Sequence, residues 1–137
     1  SKYKHLSPDY GMAQMLPYAA LNEDPYPVKA FICYRFDPLS SFPDPVAYAE
    51  GLKKLDLLVS IDVNYSHIGW MSDVILPEAT YLERTDPVIV KKGPKPALWM
   101  RRQAVPPKYD TKPKWWIFKQ LAERRTVMCD GVGGSRA

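Results

Sequence analysis

The 137-residue sequence predicts an α/β fold, a parallel sheet with helices on both faces. Three observations carry that expectation. Segments 28–34, 55–61 and 73–77 are apolar almost throughout and of strand length, the pattern of strands buried on both faces. The links between them are long enough for crossovers and contain helix signals. Hydrophobic residues at 46% with 25% charged describe a globular chain, and 14 prolines imply rigid turns and short elements.

Residues 1–27 form an approach segment. A helix is expected from Asp9 to Asn22, with Met12, Met15, Leu16 and Ala19 on one side, weakened by Pro17 and closed by NEDPYP. VKAFICY (28–34) is the first strand. RFDPLSSFPDP is a rigid loop, after which Asp44 caps a crossover helix with Pro45 at its first position and Val46, Ala49, Leu52 and Leu55 recurring along it. LDLLVSI (55–61) is the second strand, DVNYSH a loop, and Ser66 the cap of a brief helix to about Met71. DVILP (73–77) is the third strand. ALWMRRQAV (97–105) is strand-like, and Pro113 opens a helix whose Trp115, Ile117, Phe118, Leu121 and Ala122 make an apolar stripe. The order β-α-β-α-β is the doubly wound, Rossmann-like pattern. Residues 28–125 are thus one α/β domain, and 126–137 an atypical tail without apolar periodicity.

Charge and cysteines exclude several classes. The net charge is +4, and eleven of the 19 Lys and Arg lie between Lys91 and Arg125. That tract contains no nucleic-acid module, and Trp99, Trp115 and Trp116 fall where core residues would, so a solvated face is expected rather than a nucleic-acid partner. Cys33 and Cys129 cannot form a C-x-x-C knuckle or a four-thiolate cluster, so no iron–sulfur site and no metal site is expected in these residues. No apolar run approaches roughly 18 residues. The start at Ser1 leaves localisation open.

Ligands of open parallel sheets settle beyond the carboxyl ends of the strands, where loops converge. The polar residues of this chain collect there. The first strand leads to Arg35 and Asp37, the second to Asp62, Asn64 and Ser66, and the third to Glu78, Thr80 and Asp86. Carboxylates in such positions accept from ribose hydroxyls or from the N1–H and exocyclic amine of guanine. A nucleotide site is therefore expected. G-x-G-x-x-G and G-x-x-x-x-G-K-[ST] are both absent, which disfavours an ordinary NAD-dependent dehydrogenase and a P-loop ATPase. His5 and His67 stand apart from any nucleophile, and no catalytic set is visible.

LDLLVSIDVNYSHIGWMSDVILPEATYLERTD, followed by RRQAVPPKYDTKPKWWIFKQLAER, resembles the second cofactor-binding α/β domain of molybdopterin oxidoreductases of the dimethyl sulfoxide reductase family. The resemblance covers about Val28 to Arg124. YPVKAFICYRFDPLSSFPDP is most similar to polysulfide and thiosulfate reductase catalytic subunits, with arsenate-type and tetrathionate-type relatives near. It implies a domain that binds the guanosine and pyrophosphate of one of two molybdopterin guanine dinucleotides on molybdenum or tungsten. Asp62 matches the acid after the second strand, Ser66 the hydroxyl residue four later, Asp73 the acid before the third strand, and Asp86 an acid that some relatives aim at guanine. Asp37-Pro38 stands where many members have Asn-Pro in a G-x-N-P loop, with Arg35 in place of the glycine.

The same resemblance implies an iron–sulfur electron-transfer subunit and a membrane anchor subunit as partners, a periplasmic or membrane-associated parent enzyme in anaerobic respiration, and an iron–sulfur cluster and metal ligand upstream of these residues. On that reading the chain is a catalytic-subunit fragment, inactive alone. A free-standing α/β nucleotide-binding module and a basic RNA-binding domain are the alternatives.

Overall fold

The computed structural model describes residues 13–24 and 26–130. It divides into two compact units, Ser1–Ile75 and Leu76–Ala137.

In the first unit a 3-10 turn at Ala13–Met15 leads into helix α1 (Leu16–Asn22). Pro17 stands in its first turn, where the missing N–H is unneeded, so the proline marks a start and does not interrupt the helix. Residues 9–12 of the expected helix, Met12 among them, lie outside the described residues. Strand β1 (Ala30–Tyr34) pairs in parallel with β2 (Leu57–Asp62), Ala30 opposite Leu57 and Tyr34 opposite Ile61. Strand β3 (Val74–Pro77) completes a three-stranded parallel sheet in the order β1-β2-β3. Between β1 and β2 run α2 (Pro38–Ser41) and α3 (Pro45–Leu52), and between β2 and β3 runs α4 (His67–Met71).

The core is Cys33, Leu52, Leu58 and Ile68, with Phe31, Leu39, Leu55 and Met71 packed against it. Burial along most of the strand holds for the central one alone. Leu58, Val59, Ser60 and Ile61 of β2 are buried, while Ile32 of β1 and Val74 and Ile75 of β3 are exposed. Central position, more than apolarity, decides burial. Helix α3 meets α1 at Gly51, where a Cβ would stand 2.8 Å from the Pro17 Cα.

In the second unit β4 (Ile89–Lys91) and β5 (Ala97–Trp99) form an antiparallel pair, Val90 opposite Leu98. The expected strand 97–105 stops at Trp99. Beyond it the backbone is used by loops: the Arg101 carbonyl accepts from Asp86 N, and Ala104 and Val105 N–H groups both donate to the Leu82 carbonyl. Helix α5 (Lys114–Asp130) begins after Pro113 and runs into the tail as far as Asp130, while 131–137 lie outside the described residues. Its stripe is not enclosed. Ile117 is buried, but Trp115, Trp116, Phe118 and Leu121 are exposed, as is Trp99, so these tryptophans are surface and not core residues. Periodicity shows which side of a helix is apolar; it does not supply a layer to cover it.

Candidate functional site

Beyond β1 the chain turns sharply at Arg35, whose φ of 47° is left-handed and whose N–H donates to the Ile61 carbonyl. The turn delivers Asp37 to the N-cap of α2, with Pro38 at the first helical position. Four donors converge on the Asp37 carboxylate. Leu39 N lies 3.2 Å from Oδ1, and Ser40 Oγ (3.1 Å), His67 N (3.0 Å) and His67 Nδ1 (3.0 Å) lie around Oδ2. Burial alone would raise the Asp37 pKa, but the bonds from His67 and Ser40 outweigh it and hold the carboxyl below its ordinary range.

Asp62 closes β2, and its Oδ1 accepts from Val63 N at 2.7 Å. Oδ2 has no partner among the described residues. Burial pushes the Cys33 thiol up to about 12, and the Asp37 and Asp62 carboxylates push it the same way, so both acids act on one point of the sheet end. Cys33 is correspondingly inert.

Ser66 occupies the N-cap position of α4 with extended backbone, yet its side chain makes no capping bond. Its Oγ is buried without a hydrogen-bond partner among the described residues. A buried hydroxyl without a partner costs about 1–3 kcal/mol. The α4 N–H that comes first, on His67, is instead taken by Asp37.

Asp37, Asp62 and Ser66 therefore all lie at or beyond the carboxyl ends of β1 and β2. Asp73 does not. It precedes β3, and its Oδ2 accepts from Leu58 N at 2.8 Å, at the opening of β2, hence at the opposite end of that strand from Asp62. Asp86 belongs to the second unit and is buried with both oxygens occupied: Oδ1 by Arg84 Nε at 2.8 Å, Oδ2 by Arg101 Nε at 3.0 Å and also by Arg101 Nη2. Arg84 Nη1 also reaches Glu78 Oε1 at 3.0 Å and the Ala79 carbonyl at 2.8 Å. Glu78 and Asp86, expected at a ligand, serve instead as partners of guanidinium groups.

Sequence reasoning passed over His67 and Ser40. The signal was available: Asp-Pro at a helix start fixes the acid at the N-cap, and loops that follow adjacent parallel strands meet. Among the described residues no group of three His, Cys, Asp or Glu side chains could hold a metal ion.

A family model described as molybdopterin oxidoreductase matches residues 11–124. The chain belongs to the molybdopterin oxidoreductase family. It is 36% identical over 123 residues to the thiosulfate reductase molybdopterin-containing subunit PhsA of Salmonella typhimurium, covering 90% of this chain and 16% of that protein. It is 35% identical over 78 residues to the respiratory nitrate reductase 1 alpha chain of Escherichia coli, 57% of this chain and 6% of that one. Among solved structures it resembles acetylene hydratase from Pelobacter acetylenicus, with a TM-score of 0.67 and 27% identity over 81% of this chain and 15% of that chain. The chain of this oxidoreductase family member thus spans 16% or less of the length of each of these relatives. Membership implies a molybdenum- or tungsten-molybdopterin cofactor.

Proposed function

We propose that this chain is the part of a molybdopterin-dependent respiratory reductase subunit that holds the guanosine and pyrophosphate of one molybdopterin guanine dinucleotide, with Asp37, Asp62 and Ser66 as its contact region. The observation that carries the reading is the Ser66 hydroxyl, buried without a partner among the described residues where loops from two adjacent strands meet. An orphaned hydroxyl and a free carboxylate oxygen on Asp62 suit a nucleoside, which offers ribose hydroxyls and the donor edge of guanine. When bound, the cofactor supplies two-electron chemistry with oxygen or sulfur transfer at the metal.

The residues of this chain bind and orient. Asp62 accepts through Oδ2, Ser66 donates or accepts through Oγ, and Asp37 joins the two loops that carry them. Asp73 fixes Leu58 N at the other end of β2, and Asp86 holds the Arg84–Arg101 pair within the second unit. The likeness to the thiosulfate reductase subunit favours polysulfide or thiosulfate as the substrate of the whole enzyme. That these relatives are a subunit and an alpha chain supports partners, an iron–sulfur electron-transfer subunit and a membrane anchor, in a periplasmic or membrane-associated complex. On this reading these 137 residues are inactive alone.

The test is made in a full-length catalytic subunit carrying this domain. Asp62→Ala removes a charged acceptor, a loss of about 1.5–3 kcal/mol, or about one to two decades in affinity. Molybdenum and guanine content of the purified subunit should fall together. Equal content in parent and variant would reduce Asp62 to a loop-closing residue.

A further inference from the structure

His67 has no role in the reading above, yet its geometry is the most constrained at the sheet end. Its Nδ1 lies 3.0 Å from Asp37 Oδ2 and 2.9 Å from Ser40 Oγ, and its ring stays 73% exposed. An ionised carboxylate only accepts, and the single hydroxyl proton of Ser40 is directed to that same Oδ2. The shared proton between ring and carboxylate must therefore sit on Nδ1. A neutral ring so held presents Nε2 as an acceptor, and Nε2 has no partner among the described residues. His67 lines an open groove of about 510 Å³ with Leu39, Val46 and Ala49 on its apolar wall and Glu50 and Lys53 as its other charged groups.

We infer that His67 is a ligand-contacting residue that accepts, through Nε2, a hydrogen bond from the nucleoside portion of the bound nucleotide, and that Asp37 is a positioning residue acting through it. The inference rests on the nucleotide reading above and sharpens it. An acceptor nitrogen suits the N–H and O–H donors of guanine or ribose and not the oxygens of an ionised pyrophosphate, which only accept. Asp37, with its oxygens occupied by four donors, is better placed to fix the tautomer than to meet the ligand itself.

The experiment is an NMR titration of the 137-residue chain with GDP and, separately, with inorganic pyrophosphate, following the His67 ring nitrogens. In the free chain the proton is expected on Nδ1; GDP should shift Nε2 and pyrophosphate should not. His67→Ala should weaken GDP binding roughly three- to tenfold, and His67→Gln, which restores an acceptor, should recover most of it. Asp37→Asn keeps the N-cap but is expected to move the ring proton to Nε2 and weaken GDP as well, an effect a merely structural role would not produce. GDP affinity that falls with Asp62→Ala but not with His67→Ala overturns this inference and leaves the nucleotide reading standing. A pyrophosphate shift as large as that with GDP overturns the inference too. No GDP binding by the unaltered chain overturns both.

Discussion

Two acidic clusters follow strands in this chain, and they end up in opposite chemical conditions. In the second unit Glu78, Arg84, Asp86 and Arg101 form a closed network: Arg84 is 2% exposed, Glu78 and Asp86 are buried, and each carboxylate is met by a guanidinium. In the first unit Asp37 is equally well met, but its neighbours are not. Among the described residues, Asp62 keeps a free oxygen, Ser66 a free hydroxyl and His67 a free ring nitrogen. An acid beyond a strand end is therefore no guide to a ligand until its partners are counted. Where the polar groups satisfy one another, the cluster holds the fold; where they stop short, there is capacity for something else.

The sharpest way to break this contrast is to open the closed network. Arg84→Ala leaves Glu78 and Asp86 buried without their shared cation, and breaking a buried pair from one side costs about 3–5 kcal/mol. Urea denaturation should register a loss of that order in the second unit. A loss below about 1 kcal/mol, the scale of exposed ion pairs, would mean that the network is not closed to water.

The first unit offers an internal comparison between acids at the two ends of β2. Asp62→Ala should leave stability within about 0.5 kcal/mol, because a free surface oxygen holds nothing, and should abolish most nucleotide binding. Asp73→Ala should do the reverse. It deprives Leu58 N of a charged acceptor at a cost of about 1.5–3 kcal/mol while sparing nucleotide affinity. Paired denaturation and GDP titration of both variants give the four values. If Asp73→Ala lowered affinity as much as Asp62→Ala, separating the two ends of the strand would be untenable.

How much of this was legible beforehand follows from the range of each interaction. The three strands, the Asp44–Pro45 helix start and the α4 start at Ser66–His67 are local patterns, and they fall where expected, with the second strand running one residue past its window to Asp62. Contacts between distant residues were not legible. Asp37 and His67 are 30 residues apart, and Asp86 and Arg101 are 15 apart, so the role of each acid depends on a partner that no local window contains. The α5 stripe failed for the same reason: its apolar side is a local fact, its exposure a tertiary one.

Asp37 also predicts a pH signature. Its folded pKa is depressed, so its contribution is complete above the ordinary value of 3.8 and is lost as pH falls through the lower folded value. Stability of the parent chain relative to Asp37→Asn should thus be greater by about 1 kcal/mol at pH 6 and converge toward zero in acid below that ordinary value. Urea midpoints of both chains at a series of pH values test it. A gap that persists unchanged into strong acid would show that the charge of Asp37 is not what holds the two loops.

The smallest effect concerns the turn that aims Asp37. Arg35 adopts a φ of 47°, a conformation that costs an L-residue about 1–2 kcal/mol and glycine almost nothing. The resemblance noted in the sequence places a glycine at this position in many relatives, and the backbone explains why. Glycine also adds freedom to the unfolded chain, which takes back about 0.4–1 kcal/mol, and the Arg35 guanidinium over the Tyr34 ring at 5.4 Å is worth roughly 0.5–1 kcal/mol more if exposed. Arg35→Gly should therefore be close to neutral. Arg35→Ala loses the same ring contact and keeps the backbone cost, so the informative quantity is the difference between the two variants: glycine is expected to be the more stable by about 1 kcal/mol. Equal stabilities would mean that the loop relaxes to a right-handed turn when the side chain is removed, and Asp37 should then lose its register with His67, visible as a change in the His67 ring resonances.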